Sequence, residues 1–300
     1  MRLGFGLGLE YSKLSGGGSG FEGMLDLFPN GSFAASLRKL KANYADDSTT
    51  VRRDNSDQLG IGFANNELNE PELVTFADGG DAFNVDFKDQ TGNGRNFSQG
   101  SAASQPKIVS NGTVIKANTK PTLSYDGTND QLRCPATDFV TATNKLQVSV
   151  VCKNNNINVD NQVIISQYDT DNNQRSWAFR LRNNVMEILF GKTDNGTFSS
   201  IYRASTSIGP ENLNSLGFTF DSGVVVLYAN GSVIDGREVP GTVPTSLYDS
   251  SVDVTIGCTL SNNVAAGLWE GDISEAYVAD NLTDSIVEIQ QNQMEYFNIN

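Results

Sequence analysis

Three turn signals between residues 183 and 231 constrain this chain more than any other feature. They are Asn183-Asn184, Asp221-Ser222-Gly223 and Asn230-Gly231. Each separates two runs rich in Val, Ile, Leu, Phe and Tyr. Asn and Gly tolerate the positive φ that tight hairpins demand, so each signal predicts a pair of antiparallel strands. The same reading gives strands at Leu146–Lys153, Gln162–Gln167, Trp177–Arg182, Met186–Phe190, Ser199–Ala204, Leu216–Phe220, Val224–Ala229, Asp253–Cys258 and Asp272–Val278. Short strands recurring every ~8–12 residues suit an all-β antiparallel sandwich with a few short peripheral helices.

Three segments read as helix. Over residues 30–44, Phe33, Leu37, Leu40 and Tyr44 fall on one helical face. Residues 69–77 have Asn69 as a cap, Pro71 in the first turn and Gly79-Gly80 as a stop. A last helix is expected from Asn281 or Thr283, turning Ile286, Ile289 and Tyr296 inward. Ahead of these, residues 1–21 differ in kind. Leu3, Phe5, Leu7 and Leu9 alternate with glycines, Tyr11 follows, and Gly16–Gly20 reads as a flexible linker. This segment reads as an extended arm that docks on another subunit by strand addition, with a disordered terminus as the alternative. Residues 22–300 then form the sandwich domain, with the two early helices packed on it.

Composition excludes several functions. The 300 residues include no histidine, which rules out Ser-His-Asp and Cys-His catalysis. A net charge of −14 repels phosphate backbones, so no nucleic-acid partner is expected. Cys134, Cys152 and Cys258 are odd in number and widely spaced, which predicts buried thiols rather than a disulfide framework. No metal and no cofactor are expected. No stretch nears the ~18 apolar residues of a membrane span. The N-terminal residues lack the apolar stretch of a signal peptide, so synthesis in the cytoplasm is expected.

Few side chains stand out as site candidates. Trp177 and Trp269 lie in strand-like runs and read first as core, although Trp269 is also a candidate for stacking on a sugar ring. Glu187 alternates with Met186 and Ile188, which places it on the opposite sheet face, in solvent. Glu270, Asp272 and Glu275, and the Asp169-Thr170-Asp171 turn, lack the ordered spacing of a calcium loop. Arg38, Lys39, Lys41, Arg52 and Arg53 read as a solvated helix face and strand edge, with contact to an acidic neighbouring subunit as the alternative.

Three segments carry a resemblance. Gly217–Gly236 resembles the strand–turn–strand hairpin of laminin-G and pentraxin domains, and Val254–Phe297 resembles the last strands and closing helix of the same families. Together they imply a concanavalin-like (laminin-G-like) jelly-roll sandwich. Ser36–Leu40, Val51–Asp54 and the run Asp89-Gln90-Thr91-Gly92-Asn93-Gly94 resemble the catalytic sandwich of fungal-type α-L-arabinofuranosidases, and also bacteriophage virion proteins with the same module. The enzyme resemblance would place the nucleophile at Glu187. It would place the general acid at Thr259, which cannot donate a proton at a useful pKa. The paired cysteines of those enzymes are missing near Ala77 and Asp81-Ala82. The resemblance therefore implies a non-catalytic structural component of a phage virion, such as a capsid decoration, tail, fibre or baseplate protein. Its partners would be other virion proteins, reached through Leu3, Phe5, Leu7, Leu9 and Tyr11, and further copies of itself, with a trimer expected. The alternative is a carbohydrate-binding module for host-surface glycans, with Trp269, Glu187, Asp89 and Asn93 as contacts. A glycoside hydrolase is the third reading.

Overall fold

A computed structural model describes residues 20–139, 143–209 and 212–300. The expected arm contacts at Leu3, Phe5, Leu7, Leu9 and Tyr11 lie outside the described residues. In chain order the main strands begin with β1 (Phe33–Ser36), β2 (Thr49–Arg53), β3 (Gln58–Ile61), β4 (Ala82–Phe87), β5 (Phe97–Ser98), β6 (Lys107–Ser110), β7 (Leu123–Asp126) and β8 (Leu132–Cys134). Longer strands follow: β9 (Lys145–Asn154), β10 (Gln162–Asp169), β11 (Gln174–Arg182), β12 (Val185–Gly191), β13 (Phe198–Ala204), β14 (Asn214–Asp221) and β15 (Val224–Ala229). The chain closes with β16 (Ser232–Ile234), β17 (Gly236–Glu238), β18 (Val254–Ile256), β19 (Thr259–Ser261), β20 (Val264–Ala266) and β21 (Glu270–Ala279). The helices are α1 (Met24–Leu27), α2 (Glu70–Ala77) and α3 (Ile286–Phe297), none long and apolar enough to cross a membrane.

The strands make two antiparallel layers, the sandwich that the turn signals predict. One layer runs β16–β15–β14–β9–β21, with β1 and β7 end to end along the far edge of β21. The other runs β8–β18–β10–β11–β12–β13–β17. Pairings of β7 with β6, β6 with β4, β4 with β5 and β5 with β8 join the layers at one end. Between them Phe218 of β14 packs against Phe179 and Trp177 of β11 at 5.6 and 6.1 Å, and Phe190 meets Phe220 at 5.5 Å. The core is continuous from Phe33 to Val278. All three cysteines are buried.

Helix α3 covers the outer face of the first layer. Its Gln293 carbonyl accepts the hydroxyls of Ser149 on β9 (2.7 Å) and Ser215 on β14 (2.6 Å). Met24, Leu25, Leu40 and Ile289 close the same face. Among the described residues no such helix covers the outer face of the second layer.

Residues 30–44 are not the expected helix. Phe33–Ser36 form β1, and all four are buried. The edge of β21 supplies hydrogen bonds and apolar cover that override the helical spacing. Leu37 and Leu40 are still buried, from a loop, while Tyr44 is half-buried. The other two helices form, α2 where expected and α3 with a later start. Asn69 precedes α2 but donates to Glu72 (2.8 Å) instead of capping, and Ser285 caps α3. Tyr296 is half-buried under the Arg38 guanidinium (4.3 Å), while Phe297 goes inward. The basic group is not a solvated face either. Arg38 is buried and pairs with Glu275 (2.7 Å), and Arg52 is buried against Gln105 (2.8 Å).

Candidate functional site

Glu187 sits at the centre of the second layer's outer face. The Asn183-Asn184 turn, with φ of 48° and 60°, sets the β11–β12 register and puts Arg180 opposite Glu187. Across β13, Arg203 stands opposite it on the other side. Arg180 donates Nε (2.8 Å) and Nη2 (2.6 Å) to Oε2, and Arg203 donates Nε to Oε1. Arg180 also donates Nη1 to Asn161 (2.9 Å). The Glu187 side chain is 0% exposed. The expectation of a solvated Glu187 that touches a glycan is therefore corrected. The residue is on the expected face, but two guanidinium groups cover it and occupy both oxygens.

The other residues expected near a glycan separate. Trp269 is 0% exposed within the main core and offers no face to a sugar. Thr259, the position aligned with an enzyme acid, donates its hydroxyl to the Ala266 carbonyl (3.1 Å) inside the β19–β20 hairpin. Asp89 is buried and organises the turn after β4. Its Oδ1 accepts the amides of Ala34 (3.2 Å) and Thr91 (3.0 Å), and Oδ2 accepts the amide of Arg95 (3.2 Å). Asn93 is exposed, but its amide donates to Ser32 (3.1 Å), tying the turn to the start of β1. Gly92 and Gly94 take the positive φ this turn needs, 95° and 75°. Among the described residues no three His, Cys, Asp or Glu side chains are placed to hold a metal.

This rigid turn forms one wall of an open cleft of about 670 Å³. The opposite wall is the loop after β1, from Lys41 to Asp47. Gln90 fastens the two together from below. Its carbonyl accepts the Leu40 amide (2.7 Å), and its amide donates to Ser36 and Arg38 (2.9 Å each). Tyr44 lies in the cleft, its ring edge-on to Phe63 at 6.2 Å and its hydroxyl donating to the Asp47 carbonyl (3.1 Å). Burial, with the carboxylates of Asp46, Asp89, Asp47 and Asp86, raises the phenol's pKa, so it stays protonated. Asn43, Asp46 and Asp47 are exposed on the loop wall. On the turn wall stand Thr91, Asn96 and Lys88, the last held by Asp86 (2.5 Å). Sequence reasoning placed Tyr44 on a buried helix face and so missed the cleft. Only the turn, Asp89 to Gly94, signalled it.

No protein-family model and no curated protein matches this chain. Solved structures do. One is an arabinofuranosidase complexed with arabinofuranosyl-α-1,2-xylobiose (TM-score 0.62, 12% identity, 88% of this chain and 61% of that one). Another is a GH54 α-L-arabinofuranosidase soaked with a cyclic sulfate inhibitor (TM-score 0.61, 13% identity, 87% and 62%). The CBM40 of the Ruminococcus gnavus IT-sialidase, bound to α2,3-sialyllactose, matches at a TM-score of 0.42 (16% identity, 50% and 84%). This chain spans about three-fifths of the two arabinofuranosidase chains. What it shares with them is the fold, a large antiparallel β-sandwich.

Proposed function

We propose that this protein is a carbohydrate-binding sandwich that does not cleave its ligand. The cleft beside Tyr44 carries the reading. Sugars present hydroxyls that both donate and accept, and C–H faces that pack on aromatic rings. The cleft offers a ring, amides, carboxylates and a hydroxyl on two walls pinned by Gln90, a concave site with convergent polar groups. The lining has Asp46, Asp47 and Asp89 against Lys41 and an Asp86-paired Lys88, which disfavours an acidic saccharide and suits a neutral one. Glu187 and Thr259 support the non-hydrolytic part of this reading. Glycoside hydrolysis needs a carboxylic acid and a second carboxylate facing the bond. Glu187 is buried between two arginines, and Thr259 is no acid.

The test is a panel of neutral plant and bacterial oligosaccharides, measured by calorimetry with wild type and Tyr44→Ala. Binding by wild type that falls about tenfold or more in the variant is expected. No binding at millimolar ligand, or equal binding by a folded Tyr44→Ala variant, would overturn the reading.

A further inference from the structure

The outer face of the second layer holds a feature that the cleft does not use. Arg180, Glu187, Arg203 and Arg237 form one row in register across β11, β12, β13 and β17. Directly opposed residues share a face of the sheet, with Cβ atoms about 4.5–5.5 Å apart. The row therefore joins three guanidinium groups to one carboxylate, on a chain whose net charge is −14.

The three arginines are not equally engaged. Arg180 spends Nε, Nη1 and Nη2 on Glu187 and Asn161. Arg203 gives only Nε to Glu187, and among the described residues its Nη groups have no partner. Arg237 is exposed, and among the described residues its side chain has neither a hydrogen bond nor an ion pair. Like charges directly opposite each other on a sheet are destabilising, yet Arg203 and Arg237 are such a pair. The acidic groups nearby do not relieve it. Glu238 alternates to the other face and accepts the Val243 amide (3.1 Å), and Asp160 pairs with Arg182 (2.8 Å). One step along the strands, Ala178, Leu189 and Ile201 make a buried apolar cluster with Tyr168, which bounds the row on that side.

We propose that Arg203 and Arg237 form a second binding site, for the carboxylate of an acidic saccharide such as a uronic acid residue. Glu187 orients Arg203 by holding its Nε, which leaves the outer edge of the guanidinium to meet a planar oxyanion. A carboxylate between the two arginines removes their mutual repulsion. The acidic remainder of the protein disfavours a long polyanion, so a single charged sugar residue fits the row better than a phosphate backbone. The saccharide class rests on the carbohydrate-binding reading above, while the geometry of the two arginines is independent of the cleft.

Binding of a glucuronate-containing disaccharide, of its neutral parent and of sodium acetate is measured by calorimetry at fixed ionic strength, with wild type, Arg237→Gln, Arg237→Lys and Tyr44→Ala. The acidic disaccharide should bind at least about tenfold more tightly than its parent, and Arg237→Gln should lose that margin. Arg237→Lys should keep part of it, and Tyr44→Ala should keep all of it. Arg237 has no structural partner, so its variants should remain folded. Equal affinity for the acidic and neutral disaccharides would overturn the proposal, as would an unchanged Arg237→Gln. Acetate competing as well as the disaccharide would reduce the row to a simple anion site and overturn the saccharide assignment.

Discussion

Arg180 and Glu187 stand directly opposite each other across the β11–β12 hairpin, and the guanidinium reaches a single carboxylate oxygen, Oε2, through both Nε (2.8 Å) and Nη2 (2.6 Å). The other oxygen belongs to Arg203. A buried carboxylate removed from such a set leaves two guanidinium groups facing each other without a counter-ion. Glu187→Ala should cost about 3–5 kcal/mol in urea unfolding. Glu187→Gln, which keeps an acceptor, should cost less. Neither variant should alter hydrolysis of aryl α-L-arabinofuranosides, because wild type should show none. Wild-type turnover that vanishes in Glu187→Gln would return this carboxylate to a catalytic role.

That pair was legible in the sequence. A two-residue turn at Asn183-Asn184 dictates that 182 faces 185, 181 faces 186 and 180 faces 187. The strands from Leu146 onward were legible for the same reason, since local turn chemistry and period-two apolar runs agree there. The burial of Glu187 was not, because Arg203 comes from β13, and the six-residue loop 192–197 together with the irregularity at Phe190/Gly191 leaves that register open despite Asn195-Gly196. Residues 33–40 misled through spacing: β1 is buried on both faces, so it loses the alternation that marks a strand. The Tyr44 cleft vanished with that error, since a loop had been read as a helix.

A second carboxylate, Asp169, fastens two hairpins. It accepts amides from its own turn, Asp171 (3.1 Å) and Asn172 (3.3 Å), and from the β19–β20 turn, Asn262 (3.0 Å) and Asn263 (2.7 Å). Burial pushes its pKa up, but the four amides outweigh burial and hold it below the ordinary value. A group depressed in the folded state adds stability above its unfolded pKa of about 3.9 and loses it as pH falls through the folded value. Asp169→Ala should lose about 1.5–3 kcal/mol at pH 7. The gap to wild type should narrow below pH 4, as read by urea titration; a gap independent of pH would refute the assignment.

Asp130 should behave in the opposite sense. It follows β7, with its Oδ2 accepting the Asp126 amide (3.0 Å). Burial and the nearby Asp126 carboxylate raise its pKa to about 7, against the backbone bond and Lys107. Between about pH 4 and 7 the folded state then holds a proton that the unfolded chain has released, so stability falls as pH rises through that window. Asp130→Asn keeps an acceptor for the Asp126 amide and removes the titration. Its stability relative to wild type should grow from pH 4 to 7 and level off above. A constant difference across that range would contradict the raised pKa.

The remaining prediction concerns how much of the chain unfolds together. β1 pairs with β21 from Phe33↔Val278 to Ser36↔Glu275, so two strands nearly 250 positions apart share one ladder. Phe33 packs on Phe97 at 4.6 Å and on Phe139 at 6.2 Å. Arg38 ties the following loop to Glu275 on β21 and to Asn292 on α3 (2.9 Å). A fragment beginning near residue 120 would keep β7 but leave the Glu275–Val278 half of the β21 edge unpaired, and would strip the cover from Tyr277 and Ile289. Residues 22–300 should therefore unfold in one transition, with tryptophan fluorescence and far-ultraviolet circular dichroism coinciding. Loss of residues 1–21 should leave the midpoint unchanged, because the described core begins at Met24. Two separated transitions, or a stable protease-resistant product starting near residue 120, would show that the early strands are a separate unit.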